Sequence, residues 1–347
     1  VHEIVIVISD LFLAADDVDS AAKAGRVLPG LEQLARFGQA SAAQDGWRPW
    51  LAHWLGRDDL AKAAPAAIAA SVSADGGSSA WFATPVHLLA SLTSLHLDYR
   101  GLLRLPPGEL QRLAQDFASV FGDSGFYLQP TGSGLFILRS RSAIDARTTE
   151  PARAVAGELR AFQPVGADAG VLKRLNGELE MWLHSHPIND ERARRGELPL
   201  STLWLWGGGQ PLQRQGDAAS VSSSNVIFAS DPYAVGLCHL MDIACRPVPE
   251  RLPDLSGFPG AQRVAVVTEL ASSLHANPSW TMFEALADVD QRYLVPALSE
   301  LRQGTADSVV LVANDTQLRI ERRDRLKFWR RPKSAIGALL PVGTRTA

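Results

Sequence analysis

Cysteine is scarce: Cys238 and Cys245 are the only two among 347 residues. That excludes a small scaffold stapled by several disulfides. Their CxxxxxxC spacing has no second ligand pair beside it, so a structural zinc site is not expected. An excess of one charge is also lacking. Lys and Arg total 34 against 37 for Asp and Glu, a formal net charge of −3, so no global basic excess exists to hold a nucleic-acid backbone. Long apolar runs are missing too. Ile4-Val5-Ile6-Val7-Ile8 is five residues long, too short for a signal h-region or a membrane span, and no later stretch is long enough. No membrane span is therefore expected, and two thiols without a signal fit a reducing cytoplasm. Val1 in place of Met predicts a start that has been processed or trimmed.

What is present is globular composition: 46 % hydrophobic and 20 % charged residues, enough apolar surface to offset the entropy of ordering. The length fits one large or two ordinary domains. The β-branched run ending at Ser9-Asp10 reads as a buried strand. Leu28, Leu31, Leu34 and Phe37 predict a helix over 28–38, stopped by Gly38. A second helix is expected over 47–56, and the Ala-rich 61–70 reads as a packed connector. Short strands are expected over 86–97 and 101–105, a helix over 107–121, and a hairpin from 126–129 to 135–139. Leu172, Leu175, Leu179, Trp182 and Leu183 form one helical stripe over 172–184. Apolar strands follow at 202–206, 225–229, 263–268 and 308–313, with one helix over 280–301 between the last two.

Apolar strands alternating with helices imply an α/β fold: a mostly parallel sheet covered on both faces, with an inserted small α+β unit. The expected division is 1–82 and 165–335 for the core, 83–164 for the insertion and 336–347 for a tail. Ligands of open α/β sheets sit outside the C-terminal strand ends. That predicts one rim carrying Asp10, Gly207–Gly209 and the segments after Thr268 and Ala313.

The segment His186-Pro187-Ile188-Asn189-Asp190-Glu191-Arg192-Ala193-Arg194-Arg195-Gly196, followed by Pro199 and Leu203-Trp204-Leu205-Trp206-Gly207-Gly208-Gly209, resembles the HPxN…R…G…LLLRGAG block of the archaeal-type cofactor-independent phosphoglycerate mutases. These belong to the alkaline phosphatase superfamily, so the resemblance implies an alkaline phosphatase-like fold. Leu97-Asp98-Tyr99-Arg100-Gly101 resembles the D-x-x-x-G turn of that family's inserted domain. Residues 125–139 and 231–241 resemble its hairpin and the segment after its glycine motif. Trp204-Leu205-Trp206 with the glycines, and Phe328-Trp329-Arg330-Arg331-Pro332, resemble more narrowly the bacterial RpfE-type regulatory proteins.

The resemblance implies two metal ions held by Asp and His clusters, plus a Ser nucleophile. Asp10 matches the first metal-ligand Asp. Asp45-Gly46-Trp47-Arg48-Pro49-Trp50 stands in the nucleophile region without a Ser. The D-x-x-G-H segment falls on 271–275, where Ala271 replaces the Asp and His275 keeps the His. Asn314-Asp315 replaces the last Asp-His pair, and Trp206 replaces an Arg that would grip phosphate. Asp10, His275 and Asp315 are thus the remnant metal ligands. The expected protein is a non-catalytic regulatory or ligand-binding relative with no cofactor. The alternatives are an active phosphomutase or phosphohydrolase using divalent Mn or Zn, and a protein-docking scaffold.

Each candidate has a plainer role beside the functional one. Asp10 is a metal ligand or a cap. His186, Asn189 and Arg192 line a pocket for a small anionic ligand or pin a helix-to-strand junction; His184 with His186 is a ligand pair or helix-end polar packing. Gly207, Gly208 and Gly209 offer N–H groups to that anion or make a tight turn. Trp47, Trp50 and Trp54 share one helix face, as core or as a surface for an unknown protein partner. Arg319, Arg322, Arg323, Arg325, Lys327, Arg330, Arg331 and Lys333 form a basic segment, read as a phosphate or lipid contact or as a solvated edge strand. Phe328 and Trp329 are expected to anchor it to the core.

Overall fold

The computed structural model describes residues 1–13, 17, 20, 25, 27–43, 45–73, 77–90, 95–155, 159–212, 224–258, 261–313, 315–326, 329–331 and 334–340. The sequence also predicts a loop over 11–26, with Asp16, Asp17 and Asp19, and a polar loop over 216–224; of these, Asp16, Asp19 and most of 216–224, together with Asn314, Lys327, Phe328, Lys333 and 341–347, lie outside the described residues.

The chain divides into two compact units, 1–61 with 216–347 and 62–215. It opens in the first with β1 (Glu3–Ile8), α1 (Pro29–Phe37), β2 (Gln39–Ala42) and α2 (Trp47–Trp54). In the second it forms α3 (Pro65–Ala69), β3 (Ser79–Val86), α4 (Pro107–Phe121), β4 (Phe126–Pro130), β5 (Phe136–Ser140), α5 (Ala169–His184), α6 (Pro187–Arg194) and β6 (Thr202–Gly209). Back in the first unit come β7 (Asn225–Ala229), α7 (Pro232–Met241), β8 (Cys245–Arg246), β9 (Arg263–Thr268), α8 (Leu270–Ala276), α9 (Met282–Val289), α10 (Val295–Gln303), β10 (Ser308–Ala313) and β11 (Thr316–Glu321).

The first unit is mixed α/β around a seven-stranded sheet in the order β8-β7-β9-β1-β10-β11-β2. β8, β7, β9, β1 and β10 run parallel, and β11 and β2 close one edge antiparallel. β1 lies centrally because its β-branched residues tolerate burial on both faces, and Ile4 to Val7 are wholly buried. The helix expected over 280–301 is interrupted. A π turn, Asp290–Leu294, separates α9 from α10. Pro296 follows it, and a proline inside a regular helix removes one i→i−4 bond.

The second unit has a four-stranded sheet in the order β4-β5-β3-β6, every pairing antiparallel. Its core joins Trp81, Phe136 and Leu138 to Leu110, Leu113 and Phe117 of α4 and to Leu172, Leu175, Leu179 and Leu183 of α5. The boundaries expected at 82/83 and 164/165 therefore both fall inside this unit. β3 spans the first of them. α5 and β6, expected in the parallel core, belong to this unit instead: β6 pairs with β3, and α5 packs its leucines into the same core. Their apolar patterning suits either sheet, so periodicity alone did not assign them. Leu89–Ala90 and Leu95–His96 pair as a separate short ribbon in place of a strand over 86–97, and Tyr99–Gly101 is a single 3₁₀ turn. No helix among the described residues is long and apolar enough to cross a membrane.

Candidate functional site

The C-terminal ends of β1, β7, β9 and β10 form the rim where an open α/β sheet holds its ligands. Asp10, just beyond β1, is 4 % exposed. One carboxylate oxygen accepts from the N–H of Leu270 at 2.7 Å and the other from the N–H of Ala271 at 2.8 Å. Asp10 thus caps α8, whose own preceding residue, Glu269, makes no side-chain cap bond. His275, in the last turn of α8, hydrogen-bonds through Nδ1 to the carbonyl of Ala271 at 2.6 Å. Asp315 sits at φ +60° in the turn from β10 to β11, and its carbonyl accepts from Ala43 at 2.8 Å. Among the described residues, no three His, Cys, Asp or Glu side chains are grouped so as to hold a metal ion.

α2 begins in the region expected for a nucleophile. Asp45 and Gly46 both take positive φ, turning the chain so that Trp47 enters the core at 4 % exposure. The Trp47 indole donates to the Ser9 carbonyl at 3.2 Å and meets Tyr233 edge-to-face at 5.6 Å. The Arg48 guanidinium lies 4.4 Å from the centre of the Trp47 ring and 3.5 Å from a carboxylate oxygen of Asp231. Tyr233 donates its hydroxyl to the Arg48 carbonyl at 2.7 Å, and burial pushes its pKa up. An indole and a buried ion pair therefore fill this part of the rim. Trp47 was singled out in the sequence for its helix face. Arg48, Asp231 and Tyr233 were named only within longer matched stretches, and the local signal for their roles was the D-P-Y cap pattern of Asp231 at the start of α7.

Trp50 and Trp54 stack at 6.2 Å, with indole hydrogen bonds to Gln317 and Glu3. The basic segment is largely engaged as well: Arg319 pairs with Glu3, and Arg330 donates to the carbonyls of Phe37 and Gly38. Trp329 is 68 % exposed and is not the anchor expected of it. Arg330 and the buried Ile336, Leu339 and Leu340 hold that end of the chain.

In the second unit, His186, Asn189 and Arg192 form one clamp. Pro187 starts α6, and His186 is its N-cap: Nδ1 accepts from the N–H of Ile188 at 3.2 Å, which leaves Nε2 to donate to Asp116 at 3.2 Å. The ring is 6 % exposed and edge-on to Trp182 at 5.0 Å. Burial lowers its pKa, with Asp116 acting in the opposite direction. Asn189 donates to the carbonyls of Leu183 and Leu200 at 2.8 and 2.9 Å and accepts from the N–H of Leu200 at 2.7 Å. Arg192 donates to the Leu198 carbonyl at 2.8 Å and to Glu109 at 2.6 Å, and Arg112 holds both oxygens of Glu191 at 2.8 Å. His184 takes no part in these bonds. Sequence reasoning passed over Glu109, Arg112 and Asp116, although their i, i+3, i+7 spacing makes a polar stripe on α4.

The three glycines belong to another environment. β6 extends from the clamp towards them, and Gly207 lies seven residues beyond Leu200, roughly 23 Å at the rise of a strand. The structure therefore does not bring the glycines to His186. The cause is the extended backbone of β6, which the sequence reading had ended at Trp206. A Cβ on Gly208 would lie 1.9 Å from the Trp81 indole nitrogen, and one on Gly209 would lie 2.3 Å from the Cβ of Ala64. These glycines allow close packing on Trp81 and α3. The register slips at this point, Ala80 pairing with Gly209 but Phe82 with Trp206, a bulge that Gly207 accommodates at φ +68°. Trp206 donates to the Thr84 hydroxyl at 2.8 Å and packs on Phe82 at 4.5 Å.

The layout of the first unit defines the class: mixed α/β with a mostly parallel sheet flanked by helices, interrupted in sequence by a second unit. No family model matches the chain. Over 85 residues it is 31 % identical to 2,3-bisphosphoglycerate-independent phosphoglycerate mutase 2 of Methanothermobacter thermautotrophicus, a match spanning 24 % of this chain and 21 % of that protein. A solved cofactor-independent phosphoglycerate mutase from Thermoplasma acidophilum aligns over 92 % of this chain and 90 % of its own, at 18 % identity and a TM-score of 0.39. A Pyrococcus horikoshii protein aligns over 92 % of this chain and 87 % of its own, at 12 % identity and a TM-score of 0.46.

Proposed function

We propose that this chain is a non-catalytic relative of the cofactor-independent phosphoglycerate mutases, with a ligand-binding or regulatory role of the RpfE type. The observation that carries this reading is the commitment of both Asp10 oxygens to the N–H groups of Leu270 and Ala271. The residue expected to open a two-ion site instead caps a helix. The remaining donors do not fit that group. Ala271 offers a methyl where a carboxylate is required, Asp315 sits on a tight turn, and Trp47 and Arg48 fill the place of the nucleophile. In-line phosphoryl transfer needs ions on both the attacking and the leaving oxygen. The local identity to a phosphoglycerate mutase supports the ancestry, and the donor set supports a change of role.

The test is metal content and turnover of the purified chain. Mn²⁺ or Zn²⁺ is added, excess is removed, and phosphoglycerate and a generic phosphomonoester are assayed. The expected result is no stoichiometric metal and no turnover. About two ions per chain, lost in Asp10→Asn together with phosphoester turnover, would overturn the reading and restore the active phosphomutase or phosphohydrolase.

A further inference from the structure

β2 is the last strand of the first unit's sheet, and Gln39, Ala40, Ser41 and Ala42 are all exposed. The register decides which backbone groups face outward. Ala42 pairs with Thr316 and Ser41 with Gln317, while the N–H of Ala43 donates to the Asp315 carbonyl at 2.8 Å. Antiparallel pairs alternate, so Gln39 and Ser41, in step with Ala43, turn their N–H and C=O groups to β11. Ala40 and Ala42 turn theirs away from the sheet. Exposed edges are normally blunted by charge, proline, brevity or cover. β8, at the opposite edge, has two residues and carries Arg246. β4, an edge of the second sheet, ends in Pro130, and the Ser124 hydroxyl takes the Phe126 N–H at 3.2 Å. β2 has no charged residue, no proline and no bulge. Its two ends differ in charge. At the start, Arg36 donates to the Arg330 carbonyl at 2.8 Å, and the Arg330 guanidinium holds the carbonyls of Phe37 and Gly38 at 2.7 and 3.1 Å. Trp329, next to Arg330, is 68 % exposed. At the far end Asp45 stands exposed at φ +60°.

We propose that the β2 edge is the contact surface for a second copy of this chain, which adds its own β2 antiparallel and joins two seven-stranded sheets into one. Ser41 lies opposite the partner's Ser41 on a two-fold axis. Ala40 then exchanges both N–H···O bonds with the partner's Ala42, and Ala42 does so with the partner's Ala40. Charge selects this occupant. An antiparallel copy reverses its ends, so the Asp45 end of one chain meets the Arg36 and Arg330 end of the other. A two-fold contact repeats every pairing, and here opposite charges meet at both ends at once. A parallel copy would set like charges together. The small side chains of β2 let the backbones approach, and Trp329 gives each copy an aromatic anchor at the rim. So short a ladder falls below the area of about 1,600 Å² typical of stable interfaces. The dimer is therefore reversible, and salt weakens it.

The test is sedimentation velocity of the full chain over a concentration series, at low and at high salt. The expected result is a monomer–dimer equilibrium that salt shifts towards monomer. Ala40→Pro removes an N–H that β11 does not use, so it should abolish the dimer while the thermal melt stays as in the wild type. Asp45→Asn keeps a residue that tolerates positive φ and should weaken the dimer and its salt dependence. Should Ala40→Pro fail to fold, Ser41→Lys sets like charges face to face on the axis and should dissociate the dimer instead. A wild type that stays monomeric throughout would leave the edge to an extended peptide of another protein and overturn the proposal. A dimer as strong in the folded Ala40→Pro or Ser41→Lys variant as in the wild type, or an assembly larger than a dimer, would overturn it as well.

Discussion

Ala271 donates its backbone N–H to the carboxylate of Asp10 at 2.8 Å. This bond ties the end of the central strand to the first turn of the helix after the neighbouring strand. A carboxylate buried at this point needs donors, and the amides at the start of α8 supply them. A second acid at Ala271 would place a like charge against the first.

A cap and a metal ligand differ in what their loss does. Asp10→Ala should lower unfolding free energy by about 2–4 kcal/mol, because two buried N–H groups lose their acceptors. Asp10→Asn should recover part of that through its single amide oxygen. Urea melts should give the same losses in chelator and in Mn²⁺. A loss seen only with metal present would assign Asp10 to ion binding.

Gly208→Ala should destabilise the second unit by about 3 kcal/mol, through forced movement of the Trp81 indole. Its Cβ would fall 1.9 Å from an indole nitrogen inside a wholly buried side chain. Thermal melts and phosphate titrations on the same variant separate the roles. A stable variant with weakened phosphate binding would return the glycines to an anion site.

The sequence made β1, β7, β9 and β10 legible, because apolar runs buried on both faces have few alternatives, but not the two-residue edge strand β8. It also made α4 and α5 legible from their apolar stripes. It placed β6 in the parallel core, since an apolar strand carries no record of its partner, whereas β6 pairs with β3. β2 was hidden for the opposite reason: Gln39–Ala42 is exposed along its whole length and has no alternation to read. At the site, Asp10 could be found from its place after a strand. Its choice between ligand and cap could not, because Leu270 and Ala271 lie 260 and 261 residues away.

His186 should make the clamp acid-sensitive. Its Nδ1 must stay unprotonated to accept from Ile188, and burial lowers its pKa in the fold below the ordinary value of 6.5. Below that value the unfolded chain takes up a proton that the folded chain refuses, so stability is full above pH 6.5 and is lost as pH falls to the folded pKa. NMR titration of the imidazole should give the depressed value. His186→Asn, which keeps a capping oxygen, should remove this part of the acid slope.

Arg192 and Arg195 both meet Glu109, yet they should differ in weight. The Arg192 side chain is 6 % exposed and that of Arg195 is 44 %. Arg192→Ala leaves Glu109 buried beside a single exposed partner and removes the bond to the Leu198 carbonyl, a loss of about 3 kcal/mol. Arg195→Ala should cost much less, since solvent screens that pair. Equal losses in chemical denaturation would mean that the clamp does not depend on the buried guanidinium.

Asp290 should act on stability in the opposite direction to His186. It is wholly buried at the π turn and accepts the N–H groups of Gly30 and Leu31 at 3.0 and 2.7 Å. Burial pushes its pKa up to about 6 from 3.8, against the pull of those two donors. Between these values the folded chain holds a proton that the unfolded chain has released, so stability falls as pH rises from 3.8 to about 6. The size of the effect is about 3 kcal/mol. Asp290→Asn cannot ionise, so its stability relative to wild type should improve across that window and then level off. Guanidinium melts at pH 4, 5, 6 and 7 would show it; a difference independent of pH would mean that the two amide donors hold the carboxylate ionised throughout.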